Sequence, residues 1–213
     1  MNVEKKAMRL YAVTDRAWLK EGQTLAMAVE DAIKGGATFV QLREKNMSFG
    51  KLRELALDIK AVCKKYNIPF VIDDDVAMAK EVDADGVHVG QSDMEVKTAR
   101  AMLGKDKIIG VSAATVDDAL AAERRGADYI GVGAVFPTGT KEDALPVARE
   151  EVKKITGAVT IPVVAIGGIN VGNVGELKNL DLDGIAVVSA IFAKENIFEA
   201  AQELRKLSDE TFS

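Results

Sequence analysis

The chain contains a single cysteine and a single histidine among its 213 residues. One cysteine excludes an intramolecular disulfide framework and a cysteine-rich zinc site. Cys63 lies on the apolar face of an amphipathic stretch, so we interpret it as a core residue rather than a nucleophile. The lone histidine, His88, argues against a zinc site, and we interpret it as a residue of the protein interior.

Long hydrophobic runs and an excess of positive charge are also missing. No stretch has the ~18 consecutive apolar residues of a membrane span, and the start, MNVEKKAMRL, lacks the apolar segment of a secretory signal. The formal net charge of −5 disfavours nucleic acid and anionic membrane surfaces as partners. We therefore expect a cytoplasmic protein that acts on small molecules and holds any anion in a local cluster.

What the sequence does contain is a series of eight short apolar runs separated by amphipathic stretches. Four share a Gly- or Asp-containing start: GATFVQL from Gly36, DADGVHVG from Asp83, GADYIGVG from Gly126 and LDLDGIAVVS from Leu180. Four others, beginning near residues 8, 68, 106 and 161, alternate with them. Such runs are typical of parallel strands buried on both faces, so we predict an α/β fold, a single (β/α)₈ TIM barrel over residues 1–213.

Polar residues follow the predicted strands at their carboxyl ends, where barrels of this kind build their active sites. No lysine lies inside a predicted strand to form a Schiff base, and no Ser-His-Asp set is visible. A reaction that needs little general base suits this inventory. The polar strand ends carry Gln41, Arg43, Lys45, Asp73, Asp74, Asp93, Ser112, Thr138, Thr140, Lys141, Gly168 and Ser189.

Two anion sites are predicted from these strand ends. Arg43 and Lys45 share one strand face with Gln41, so two cations point into the barrel mouth together. Asp74 and Asp93 leave neighbouring strands and are placed to share one Mg²⁺ with a bound phosphate. With Lys141 this describes a pyrophosphate site.

The second anion site is predicted at the carboxyl ends of the last two strands. The loops after strands seven and eight are the recurrent phosphate site of this fold, and here they supply Gly168 and Ser189. The segment PTGTK at residues 137–141, taken alone, fits a surface turn as well as a phosphate-binding loop. Two facing anion sites imply two phosphorylated substrates.

Six motifs together resemble the thiamine phosphate synthase family. They are VQLREK (40–45), DGVHVGQSD (85–93), GVSA (110–113), PTGTK (137–141), AIGGI (165–169) and VVSAI (187–191). The resemblance implies that 4-amino-5-hydroxymethyl-2-methylpyrimidine diphosphate condenses with hydroxyethylthiazole phosphate, giving thiamine phosphate and pyrophosphate. It also implies that pyrophosphate leaves first, from a stabilised pyrimidine carbocation.

The resemblance further implies a role for each strand-end residue. Gln41, Arg43 and Lys45 would contact the pyrimidine and its diphosphate, Asp74 and Asp93 would bind Mg²⁺, and Ser112 and Lys141 would contact the pyrophosphate. Thr138 and Thr140 would line the thiazole, while Gly168 and Ser189 would hold its phosphate. Two positions depart from the family pattern: Asp73 stands where asparagine is usual, and Ala114 where histidine is common.

Three other interpretations fit parts of the sequence. A thiazole tautomerase of the same superfamily would need a histidine where the chain has Ala134. A non-catalytic barrel that binds a phosphorylated metabolite would keep the glycine-rich loop after strand seven but would not need the pair Asp74 and Asp93. A sugar-phosphate isomerase is disfavoured by the single histidine. The sequence leaves open a homo-oligomeric state and whether the thiazole carries a carboxylate.

Overall fold

The structure, a computed structural model, describes residues 3–90, 95–139 and 146–212. Eight parallel strands pair in chain order and close on themselves, with β8 next to β1. The predicted (β/α)₈ barrel is therefore confirmed.

The strands are short and the helices vary in length. The strands are β1 (Leu10–Val13), β2 (Phe39–Leu42), β3 (Phe70–Asp73), β4 (Gly86–Val89), β5 (Ile108–Ala113), β6 (Tyr129–Val132), β7 (Val163–Ile166) and β8 (Gly184–Val187). The α-helices are α1 (Leu25–Lys34), α2 (Phe49–Tyr66), α3 (Val76–Glu81), α4 (Val96–Leu103), α5 (Val116–Arg124), α6 (Arg149–Ala158), α7 (Ser189–Phe192) and α8 (Ile197–Thr211). In the described part of the chain, none of them is long and apolar enough to cross a membrane.

The connections around β7 and β8 differ from the regular alternation of strand and helix. Only a 3₁₀ helix, Val174–Leu177, lies between these two strands in place of an α-helix. After β8 the chain enters the four-residue α7, which begins at Ser189, before the long α8. Before β1 the chain forms the 3₁₀ helix Lys5–Met8, and Met8 packs into the barrel interior.

The shared start of four strands has a structural reason at the amino ends of the barrel. The residue just before each even-numbered strand accepts a hydrogen bond from a backbone N–H at the start of the preceding strand. The pairs are Thr38 with Leu10, Asp85 with Phe70, Asp128 with Ile109 and Asp183 with Val163, at 2.8 to 2.9 Å. Each bond satisfies a donor next to the buried core and fixes one strand against the next.

The apolar residues form two cores, one on each side of the strands. The inner core fills the barrel with large side chains that include Tyr11, Phe39, Val71 and Tyr129. The outer core lies between strands and helices and contains Cys63, which is 1% exposed. Burial raises the pKa of the Cys63 thiol to about 12, so the thiol keeps its proton and its interpretation as a core residue is confirmed.

We expect Asp85→Ala to destabilise the barrel by about 1–3 kcal/mol, because it leaves the N–H of the buried Phe70 without its acceptor. Asp85→Asn keeps an acceptor oxygen and should cost less. Urea unfolding of each variant measures the effect. The control is Asp106→Ala at an exposed loop position, where a change within about 0.5 kcal/mol is expected. Equal effects at the two positions would contradict the assigned role.

Candidate active site

The carboxyl ends of the strands bring most of the predicted site residues to one end of the barrel. Three of those residues, Asp93, Thr140 and Lys141, lie outside the described residues, so their predicted roles stay predictions. The others, apart from Ser189, fall into three groups: a charged rim at the ends of β2 and β3, a chain of hydrogen bonds inside the barrel, and the loops that follow β6 and β7. Ser189 is exposed at the start of α7, which follows β8.

The charged rim consists of Arg43, Lys45, Asp73 and Asp74. Lys45 Nζ lies 2.7 Å from Asp74 Oδ2 and 3.2 Å from Asp73 Oδ2. Arg43 Nε lies 3.8 Å from the same oxygen of Asp73. Arg43 and Lys45 therefore do share one face, as predicted. Because each has a carboxylate partner within the protein, their mutual repulsion does not by itself require an external anion.

The run Asp73, Asp74 and Asp75 is divided among three local roles. Asp73 ends β3, and Asp74 has a left-handed backbone with φ of 60°. The strand thus stops between the two residues, which lets both carboxylates reach Lys45 instead of pointing to opposite faces. Asp75 accepts a hydrogen bond from Met78 N at 2.8 Å and caps α3.

The charges of the rim shift the pKa values of its members. Burial raises the pKa of Asp73, the charge of Asp74 raises it further, and Lys45 and Arg43 only partly oppose this. Burial lowers the pKa of Lys45, but its contacts with Asp74 and Asp73 outweigh burial and raise it. The raised pKa of Lys45 shows that the two carboxylates favour a cation at this point of the rim.

Glu44 lies on the other side of the same segment. Its side chain is 3% exposed, and its Oε2 accepts from Arg16 Nε at 2.7 Å. Its Oε1 is buried and has no partner among the described residues. Burial raises the pKa of Glu44, against the opposing charge of Arg16. Alternation along the chain therefore separates Glu44 from the rim and uses it to join the loops after β1 and β2.

Inside the barrel five polar side chains form a continuous chain of hydrogen bonds, here called the interior relay. Gln41 Nε2 donates to Tyr11 Oη at 2.6 Å, and the hydroxyls of Tyr11 and Tyr129 lie 2.8 Å apart. His88 links Tyr129 to Ser112, with Nδ1 3.0 Å from Tyr129 Oη and Nε2 3.0 Å from Ser112 Oγ. The interpretation of His88 as an interior residue is confirmed.

The interior relay joins two predicted site residues, Gln41 and Ser112, through two tyrosines that the sequence analysis missed. A signal was available, because Tyr11 and Tyr129 lie in strands buried on both faces, where a hydroxyl needs a partner. Their spacing around the barrel could not be read from the sequence.

The loops that follow β6 and β7 run beside each other. Val135 N donates to Ile166 O at 3.0 Å and Phe136 N to Gly167 O at 3.1 Å. Gly168 has φ of 67°, and a Cβ there would lie 2.4 Å from Pro137 O. A glycine is therefore required at position 168, because the loop after β6 approaches it there with Phe136 and Pro137.

The rim residues fit a divalent cation by the chemistry of their donors. Asp73 and Asp74 both direct an oxygen at one ammonium group, so their hard oxygen atoms converge where positive charge is favoured. Within the described ranges, no three His, Cys, Asp or Glu side chains form a metal-binding group by themselves. Among the other predicted site residues Asp93 is the candidate for a further ligand, and water or a bound phosphate would complete the coordination.

Comparison with known proteins identifies the family of the chain. The model of the thiamine monophosphate synthase family matches residues 10–191. The chain belongs to this family. Thiamine-phosphate synthase of Clostridium tetani is 53% identical over 195 residues, which cover 92% of this chain and 93% of that protein.

Two further relatives support the membership. Thiamine-phosphate synthase of Alkaliphilus oremlandii is 52% identical over 196 residues, covering 92% of this chain and 93% of that one. The solved structure of thiamine phosphate pyrophosphorylase from Pyrococcus furiosus has a TM-score of 0.90 and 40% identity, and covers 98% of this chain and 99% of its own. The family is one of transferases that form thiamine phosphate, so the chain is an enzyme of thiamine biosynthesis.

We expect Lys45→Met to lower the free energy of unfolding by about 1 kcal/mol, since Asp73 and Asp74 then face each other without their shared cation. The double variant Lys45→Met/Asp73→Asn should recover most of this loss. Urea unfolding of the single and double variants measures the coupling. Lys51→Met, at an exposed position of α2, is the matched control. Additive effects of the two substitutions would show that Lys45 does not balance Asp73.

Proposed function

We propose that the enzyme joins 4-amino-5-hydroxymethyl-2-methylpyrimidine diphosphate to hydroxyethylthiazole phosphate, with Mg²⁺ bound to the leaving pyrophosphate. The observation that carries this proposal is the charged rim, where Arg43 and Lys45 stand beside two carboxylates at the barrel mouth. Membership of the family supplies the overall reaction, and the rim supports the chemistry of the leaving group.

The first step breaks the bond between the pyrimidine methylene carbon and the diphosphate oxygen. The electron pair leaves with pyrophosphate, and the pyrimidine carries the resulting positive charge. The lone pair of the thiazole nitrogen then forms the new carbon–nitrogen bond. Neither step needs a covalent bond to a lysine, in accord with strands that carry no lysine in the described structure.

The residues of the rim and the relay would divide the catalytic work. Arg43, Lys45 and Lys141 would stabilise the charge that grows on the leaving group, with Ser112 donating to one of its oxygens. Gln41, 5% exposed at the end of the relay, would orient the pyrimidine. Thr138 and Thr140 would line the thiazole, and Gly168 and Ser189 would lie at its phosphate.

Asp74 and Asp93 would hold the magnesium ion. The ion, when bound, neutralises part of the negative charge on the pyrophosphate and so makes it a better leaving group. Asp74 is suited to this because it already accepts a cationic partner, Lys45, at 2.7 Å. The diphosphate would in turn supply anionic partners for Lys45 and Arg43.

The direct test is to mix the two substrates with the protein and Mg²⁺ and to measure thiamine phosphate and pyrophosphate. We expect both products in equal amounts, and none in excess chelator. Full activity in excess chelator would disprove the role of a divalent cation. Formation of neither product under any metal condition would disprove the proposed reaction.

We expect Lys141→Ala to lower kcat more than it weakens thiazole phosphate binding, because the charge on its proposed partner grows in the transition state. Ser189→Ala should mainly raise the KM for thiazole phosphate, whose charge is constant throughout. Steady-state kinetics with each substrate varied measure the split. Ser189→Ala is a cleaner test than any change at Gly168, since a side chain there also displaces Pro137. Exchange of the two kinetic patterns would mean that the anion sites are reversed.

Asp73→Asn should preserve or raise kcat/KM for the pyrimidine diphosphate, by up to a few-fold. The reason is that Asp73 draws on Lys45 and Arg43, which the phosphates would otherwise use, and repels the phosphates by ~1 kcal/mol or more. Asp74→Asn, which removes a metal ligand, should be severe. A magnesium titration of both variants decides the matter, and a loss at Asp73 as large as that at Asp74 would assign the metal to Asp73.

A further inference from the structure

The interior relay has a direction that follows from counting its protons. The amide Nε2 of Gln41 can only donate, so Tyr11 Oη accepts from it. Tyr11 and Tyr129 each have one hydroxyl proton, and burial raises the pKa of both phenols, so both protons are retained. Each of these two protons needs a hydrogen-bond acceptor inside the barrel.

One arrangement gives an acceptor to both tyrosine protons and to the proton on the His88 ring. Tyr11 donates to Tyr129, Tyr129 donates to His88 Nδ1, and His88 Nε2 carries the proton that is donated to Ser112. If His88 instead carried its proton on Nδ1, Tyr129 Oη would accept it, and the proton of either Tyr11 or Tyr129 would have no acceptor among the described residues. Both side chains are at most 1% exposed, so such a loss would be costly.

The barrel makes room for this arrangement at two neighbouring positions. A Cβ on Gly110 would lie 2.3 Å from Tyr129 Oη, and a Cβ on Gly131 would lie 3.2 Å from His88 Cε1. Gly110 is paired in register with both His88 and Tyr129, and Gly131 with Ser112. Small residues therefore stand where larger ones would displace the central members of the relay.

We propose that His88 is a positioning residue, held by Tyr129 as the neutral Nε2–H tautomer, which makes Ser112 an acceptor toward the imidazole and turns the Ser112 proton away from it. The consequence for catalysis rests on the proposed function, in which Ser112 donates to the leaving pyrophosphate. The relay thereby couples the orientation of Ser112 on β5 to that of Gln41 on β2, across the barrel.

The tautomer can be measured without any substrate, because His88 is the only histidine of the chain. Protein labelled with ¹⁵N in histidine gives the nitrogen signals of this one imidazole. We expect Nε2 to show a directly bonded proton and Nδ1 to have the chemical shift of an unprotonated acceptor nitrogen. Protonation on Nδ1, which would require the Gln41 amide to face Tyr11 with its oxygen, would overturn the proposal, as would a doubly protonated ring at neutral pH.

Three tyrosine variants test the cause of the tautomer. Tyr129→Phe removes the donor to His88 and should allow the two tautomers to mix. Tyr11→Phe leaves that donor in place and should keep the Nε2–H form. Tyr66→Phe, which removes a hydroxyl bonded to Glu30 outside the barrel, is the matched control and should change neither the spectrum nor the activity. An unchanged tautomer in a folded Tyr129→Phe variant would overturn the assigned role of Tyr129.

Kinetics test whether the relay acts through Ser112. Tyr129→Phe should lower kcat by about tenfold with little change in either KM, as expected for loss of one hydrogen bond to a charged group in the transition state. In the Ser112→Ala background the same change should have no further effect. Additive losses would overturn the coupling. If the wild-type protein does not convert the two substrates, the proposed function fails. The spectrum of the wild-type protein still decides the tautomer.

Discussion

Closure of eight short parallel strands is the constraint on which the rest of this structure depends. A closed barrel has no sheet edge, and it sends every second side chain of each strand into a narrow interior. Those side chains must fill the space and satisfy one another's hydrogen bonds. Apolar and aromatic side chains fill much of the interior. The relay from Gln41 to Ser112 satisfies the polar groups inside it.

The same closure explains why the two ends of the barrel carry different kinds of contact. At the amino ends of the strands, side chains such as Asp85 and Asp183 accept hydrogen bonds from backbone N–H groups and hold neighbouring strands together. At the carboxyl ends, polar side chains contact one another across strands and leave their charges near the barrel mouth. The proposed chemistry therefore uses residues that the fold does not need for closure.

The side chains of the charged rim neutralise one another's charges without a ligand. Two cations and two carboxylates neutralise each other, so the protein bears no uncompensated charge in the rim. A diphosphate with a divalent cation could exchange partners with the same four groups without adding much net charge. Asp73 contributes to this balance through its contacts with Lys45 and Arg43.

The sequence by itself determined the fold and the end of the barrel at which the charged rim lies. Eight continuous apolar runs require strands buried on both faces, and polar residues at their carboxyl ends mark the mouth of a barrel. It also placed Arg43 and Lys45 together and Cys63 in the core, because both follow from local periodicity. Only the tertiary structure decided which groups meet across strands. The contact of Gly168 with Pro137 and the path from Gln41 through Tyr11, Tyr129 and His88 depend on distances between residues far apart in the chain, which periodicity does not encode.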